Sequence, residues 1–270
     1  MPGWFDPGVL ALLILVVALY VRAVGVVRER GLEVPALQQA AFYAGIGFWT
    51  AALLSPVDVL AEDLLSAHMA QHLLLAELGA PFILVGLRAP VLFFYLPRPA
   101  LVSLARRRRL RRVLSAISRP LAAIAIYAVV LYGWHFALLF EAATENPWIH
   151  ALQHQSFIVI SVLVWLPALE PARRRVPGAL WKAGHIIGAR TVGMFLGMAF
   201  IIMRSPAYPL YAESAPEHGL TGLQDQQIAG AMMLTLDVLI VFVALGYFFW
   251  RSAEDHDRAE ALERARARPQ

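Results

Sequence analysis

Residues 8–27 read GVLALLILVVALYVRAVGVV, twenty positions with one charged residue, Arg22. At 1.5 Å rise per residue, about twenty apolar residues in helical form cross the ~30 Å hydrocarbon core of a bilayer. A helix on the surface of a soluble domain would need a polar face, and this stretch has none. The same reading extends along the chain to 36–54, 64–87, 120–142, 147–169, 182–204 and 227–250. Breaks carry helix-ending or turn-forming residues: Gly31 and Pro35, Ser55-Pro56, Arg119-Pro120, Asn146-Pro147 and Ser205-Pro206. The expected fold is therefore all-α, a polytopic membrane protein with a seven-transmembrane-helix bundle. Composition agrees: of 270 residues, 59% are apolar and 16% charged, with mean hydropathy +0.61. Soluble globular chains carry roughly a quarter charged residues. A soluble enzyme, a disordered chain and a porin-like barrel of short alternating strands are excluded.

Charge predicts orientation. Of 23 Lys and Arg, 21 fall after spans one, three and five or in the tail: Arg22, Arg28 and Arg30; Arg88, Arg98, Arg106–Arg109, Arg111, Arg112 and Arg119; Arg173–Arg175 and Lys182; and five tail arginines. The alternate segments carry Asp6, Asp58, Glu62, Asp63, Glu141, Glu145, Glu213, Glu217 and Asp225. Positively charged loops stay in the cytoplasm, which places the N-terminus outside and the C-terminus cytoplasmic. The run at 106–112 reads as a retention signal in preference to a nucleic-acid patch or a lipid clamp. Residues 1–250 are expected to form one membrane domain and 251–270 a charged cytoplasmic tail. The bilayer is an expected partner and nucleic acid is not.

Five histidines share one depth. His68 and His72 stand near the start of the third span and His150 and His154 near the start of the fifth, each pair spaced i, i+4 on one helix face. At 1.5 Å per residue His68 and His150 lie about 5–6 Å below the outer surface, and His72 and His154 about 10–12 Å. His135, counted back from residue 142, lies about 10 Å below it. Clustered ionisable groups inside a membrane mark function by default. His185, His218 and His256 lack such company and read as ordinary core, loop and tail residues. Imidazole suits copper, zinc and iron. Zero cysteines exclude disulfides, thiolate sites and iron–sulfur clusters. Soft ligation must then come from methionine, with Met69 and Met233 the nearest candidates, which tilts the expectation to copper. His72, His135 and His154 are the expected principal ligands, with His68 and His150 one turn nearer the surface. Asp225, Gln226 and Gln227 at the mouth are expected to orient imidazoles. An outward-facing polar cavity is expected between spans three, four and five.

Deeper, Glu77, Arg190 and Asp237 fall about 15–21 Å from the outer surface and are expected to form an intramembrane ion-pair network, first of all as a structural brace. Pro81 clashes with the Glu77 carbonyl four residues earlier and predicts a kink there.

The blocks His68-Met69-Ala70-Gln71-His72-Leu73, Trp134-His135-Phe136, Asn146-Pro147-Trp148-Ile149-His150-Ala151-Leu152-Gln153-His154 and Asp225-Gln226-Gln227-Ile228-Ala229-Gly230 resemble the CtaG-type cytochrome c oxidase assembly factors over about residues 40–250. The resemblance implies a bacterial plasma (inner) membrane location and an assembly role for haem–copper oxidases, with an oxidase subunit and a copper carrier as expected partners on the outer side. The sequence departs after Gly230, where Ala231-Met232-Met233 stands in place of the family's tendency towards Met-Trp and Pro-Gly. Two alternatives stay open. One is a haem-binding electron-transfer protein, with Gly45 and Gly47 or Gly193 and Gly197 opening a slot. The other is a seven-span zinc hydrolase using Asp63 or Asp225, the one enzymatic reading against a non-enzymatic expectation. A retinal protein is disfavoured, because the sole lysine is Lys182.

Overall fold

The computed structural model describes residues 5–169 and 178–266, and every regular element among them is a helix. Arg173–Arg175 and Arg268 lie outside the described residues. Five helices are long and apolar enough to cross a membrane: Pro7–Glu29, Leu65–Gly86, Pro147–Leu169, Ala179–Ile202 and the apolar part of Gly222–Arg266. The number is seven if two bent pairs each count as one span: Ala36–Leu53 with Pro56–Asp63, and Arg108–Ile117 with Pro120–His135. The chain is a multi-pass membrane protein.

Local chemistry sets the helix starts. Asp6 accepts from the amides of Gly8 and Val9 at 2.7 and 3.2 Å, and Pro7 occupies the first helical position, where its missing N–H is not needed. Asn146 and Pro147 repeat the device for helix 147–169.

Helix 65–86 is the central element and the most buried of the long apolar helices, whereas helix 7–29 and the last helix are largely uncovered. The peripheral helices turn Leu12, Ile14, Leu15, Phe242 and Val243 outward, as lipid-facing positions require. At Pro81 the central helix widens into a π-helical turn over Leu73–Gly79, and the expected kink takes this form. The Ala80 amide bonds back five residues to the Leu75 carbonyl. The next such bond would join residue 81 to Ala76, but Pro81 has no N–H. Ser161 of helix 147–169 supplies the missing donor, its hydroxyl 2.5 Å from the Ala76 carbonyl. In lipid a freed backbone carbonyl is tolerated only when a neighbour satisfies it in this way.

Helices 179–202 and 222–266 pack backbone against backbone. A Cβ on Gly230 would come within 2.5 Å of the Gly197 carbonyl oxygen, so glycine is what lets the helices approach.

One expectation is corrected. The segment expected as one span, 120–142, is divided into Pro120–His135 and Ala137–Glu145, with Phe136 extended between them. The charged tail from 251 is helical as far as Arg266, continuing the last helix. Ion pairs at helical spacing line that extension, from Arg251 and Arg258 to Glu254 and from Arg264 to Glu260.

Candidate functional site

Helices 65–86 and 147–169 begin at the same end of the bundle and turn their histidine faces together. The first start is fixed by Asp225, whose carboxylate accepts from the amides of Leu65 at 2.7 Å and Ser66 at 3.0 Å. Four imidazoles result in one cluster. The His68 ring stacks on His150 at 5.2 Å, and His72 meets His154 edge-on at 5.0 Å. Along each helix the ring centroids are 4.4 Å apart for His68 and His72, and 4.2 Å for His150 and His154. His68, His72 and His154 are buried.

The hydrogen bonds dictate where the protons sit. Tyr211, in the helix Pro209–Ser214, donates its hydroxyl proton to the Ala61 carbonyl at 2.9 Å, since a carbonyl can only accept. Burial, aided by the nearby Asp225 carboxylate, pushes the Tyr211 hydroxyl above its ordinary range, so it keeps that proton. Its oxygen then accepts from His68 Nδ1 at 3.0 Å. A neutral His68 protonated at Nδ1 has a bare Nε2, which accepts from His72 Nε2 at 2.8 Å. His72 Nδ1 is thereby left unprotonated, and it is buried without a partner.

His135 is prepared by a different route. Its Nδ1 donates to the Leu131 carbonyl at 2.7 Å, which leaves Nε2 bare, buried and unpartnered. Its ring packs beside Phe140, Phe157 and Phe200. A cavity of about 40 Å³ brings it into relation with the cluster: His72, His135, Met69 and Met233 all border it. The cavity is small, and the segment 203–221 lies over the histidine end where an outward-facing cavity was expected. Tyr208 there donates to the His135 carbonyl at 2.8 Å, stacks on Phe140 at 3.8 Å and lies near Tyr211 and Ser214 on the same cap.

The cluster is not a ready-made coordination sphere. No group of three or more His, Asp or Glu among the described residues is drawn together with metal-centre spacing, and His68 and His72 are joined by a hydrogen bond. Asp225, Gln226 and Gln227 do not orient imidazoles directly. Asp225 is spent on helix 65–86; Gln226 joins Ala207 to Phe200; and Gln227 donates to the Ile201 carbonyl. Sequence reasoning passed over Tyr208 and Tyr211, and also a shared pattern. Both histidine helices read His-x-x-Gln-His, and the side-chain carbonyls of Gln71 and Gln153 are each buried without a partner.

Below the cluster Arg190 donates to Glu77 and, at 3.2 Å, to Asp237, with its guanidinium carbon 5.0 Å from the Tyr127 ring centre. Asp237 borders the same small cavity as His72. Arg190 Nε and Nη2 are buried without a partner. His185 donates from Nε2 to the Val164 carbonyl, His218 pairs with Asp63 and His256 with Glu260, all outside the cluster.

An all-helical membrane bundle with a histidine-rich pocket at one end is the class of protein these features define. The family model for the cytochrome c oxidase caa3 assembly factor (Caa3_CtaG) matches residues 18–255, and the chain belongs to that family. Searches of curated proteins and of solved structures give no match. Its role is in cytochrome c oxidase assembly, and that role implies an oxidase partner.

Proposed function

We propose that the chain carries copper at its histidine end and passes it to a haem–copper oxidase under assembly. In this reading seven spans run between an external N-terminus and a cytoplasmic C-terminus in a bacterial plasma membrane, with the histidine end outward. One observation carries the proposal: four histidines of one region, His72, His135, His150 and His154, each present a buried ring nitrogen with no partner. Buried polar atoms are ordinarily bonded, so four unpartnered imidazole nitrogens together, those of His72 and His135 unprotonated, favour an electrophile that the chain does not supply. Met69 and Met233 at the shared cavity add thioether sulfur, and a mixed imidazole–thioether set without thiolate suits copper over hard cations. Copper is cargo here, so the absence of a tight, preformed coordination sphere favours release to a carrier or to an oxidase subunit.

The rival chemistries find less support. Bis-histidine haem needs room for a porphyrin between its imidazoles, whereas the His68–His150 and His72–His154 pairs pack ring to ring at 5.2 and 5.0 Å with Phe140 and Phe157 against them. A zinc hydrolase needs a carboxylate beside the metal, whereas Asp225 caps a helix and Asp63 pairs with His218. The proposed role is accordingly non-enzymatic.

The test replaces His72 and His135 singly with Ala in the full chain. Each should weaken Cu(I) retention against a competing chelator and lower oxidase activity when copper is limiting. Unchanged copper retention and full oxidase activity in both variants would overturn the proposal.

A further inference from the structure

At the end of the bundle opposite the histidines, residues 88–119 hold nine arginines and no carboxylate. Retention of a loop needs only charge, but this segment has structure. Helix Arg108–Ile117 sets Leu110, Val113, Leu114 and Ile117 at i, i+3, i+4 and i+7, with Arg108, Arg109, Arg111 and Arg112 between them. Val113 and Leu114 are 56% and 47% exposed, so the middle of the apolar face is uncovered among the described residues. The helix meets the apolar helix Pro120–His135 at 81°, and an axis perpendicular to a span lies in the plane of the membrane surface. A basic helix with an uncovered apolar face in that plane fits an interfacial element.

The same arginine-rich segment borders a groove of about 500 Å³ between helix 7–29 and residues 92–101, lined by Arg22, Arg30 and Arg98 and by Phe93, Phe94 and Leu101. Two of the arginines are held in place. Arg22 Nη2 donates to the carbonyls of Phe94 at 2.6 Å and Tyr95 at 3.0 Å, and Arg30 lies over the Phe94 ring at 4.4 Å. Ring stacking uses the face of the guanidinium and leaves its edge donors to a phosphate. Arg98 also borders a second groove of about 680 Å³ with Val102, Arg106 and Arg107.

We propose that this groove binds an anionic phospholipid, with its phosphate among Arg22, Arg30 and Arg98, its acyl chains against Phe93, Phe94 and Leu101, and helix 108–117 lying on the same leaflet. Positive charge alone would take a free phosphate or a nucleic acid. The apolar wall and the exposed Val113 and Leu114 select a ligand that is anionic at one end and hydrocarbon at the other.

The test uses the full chain in detergent with fluorescent phosphatidylglycerol as probe. The double variant R30Q/R98Q keeps Arg22 and its two carbonyl bonds, and the tail variant R251Q/R258Q removes the same charge elsewhere. The groove variant should bind roughly thirtyfold more weakly, while the tail variant binds as the parent does. Mass spectrometry of the purified parent should show co-purified anionic phospholipid, and circular dichroism of the variants should show parental helicity. Equal affinity for phosphatidylcholine, displacement by millimolar inorganic phosphate, tighter binding of single-stranded RNA, or parental affinity in R30Q/R98Q would each overturn the proposal. So would a parent that retains no anionic lipid.

Discussion

The protonation pattern of the cluster hangs on one hydroxyl. Tyr211 donates to Ala61 and accepts from His68, and that arrangement fixes which nitrogen each of His68 and His72 presents. In Tyr211→Phe the ring stays but His68 loses the acceptor that holds its proton on Nδ1, so its tautomer is released. Partners of this kind typically change metal affinity 10–100-fold, and a loss of about tenfold in Cu(I) affinity is expected, beside a loss of stability of about 1–3 kcal/mol from the unbonded Ala61 carbonyl. Parental affinity in a competition titration would show that the tautomer does not matter. None of this was legible in the sequence, because Tyr211 is 143 residues from His68 and sits in a short helix of its own. The histidines themselves were legible, since i, i+4 spacing and depth within a span are properties of single helices. The roles expected of Asp225, Gln226 and Gln227 were misread for the complementary reason: position at the mouth said nothing of which backbone groups would reach them first.

Among the elements, the π-helical turn makes the sharpest case. The steric conflict between Pro81 and the Glu77 carbonyl could be read from spacing, but its resolution depends on Ser161 in another helix. Ser161→Ala should cost about 1–3 kcal/mol by leaving the Ala76 carbonyl buried and unbonded. In a Pro81→Ala background, where residue 81 regains its N–H, the same substitution should cost measurably less. Reversible unfolding in micelles can complete this double-mutant cycle, and strictly additive effects would contradict the account. The break at Phe136 was hidden for a similar reason. Trp134-His135-Phe136-Ala137 contains no turn-forming residue, and the freed His135 carbonyl is satisfied by Tyr208 from far along the chain. Long apolar helices, by contrast, were plain from composition, because in lipid the requirement falls on each segment separately.

For the whole molecule, charge asymmetry sets the strongest expectation. A reporter fused near residue 107 should register in the cytoplasm and one near residue 220 outside, since the arginine-rich and acid-rich segments alternate along the chain. The opposite pattern would invert the proposed sidedness and with it the place of copper exchange. The last helix links the two faces. Its 45 residues extend about 68 Å, roughly twice the thickness of the hydrocarbon core. One end carries Asp225, which clamps the start of the histidine helix; further on come Met233 at the cavity and Asp237 in the ion network; then the helix continues into charged turns. An unbroken helix behaves as a stiff rod, so these stations cannot move independently. Any displacement of the charged end would therefore reach Asp225, and through it the first turn of the histidine helix, without a joint to absorb it.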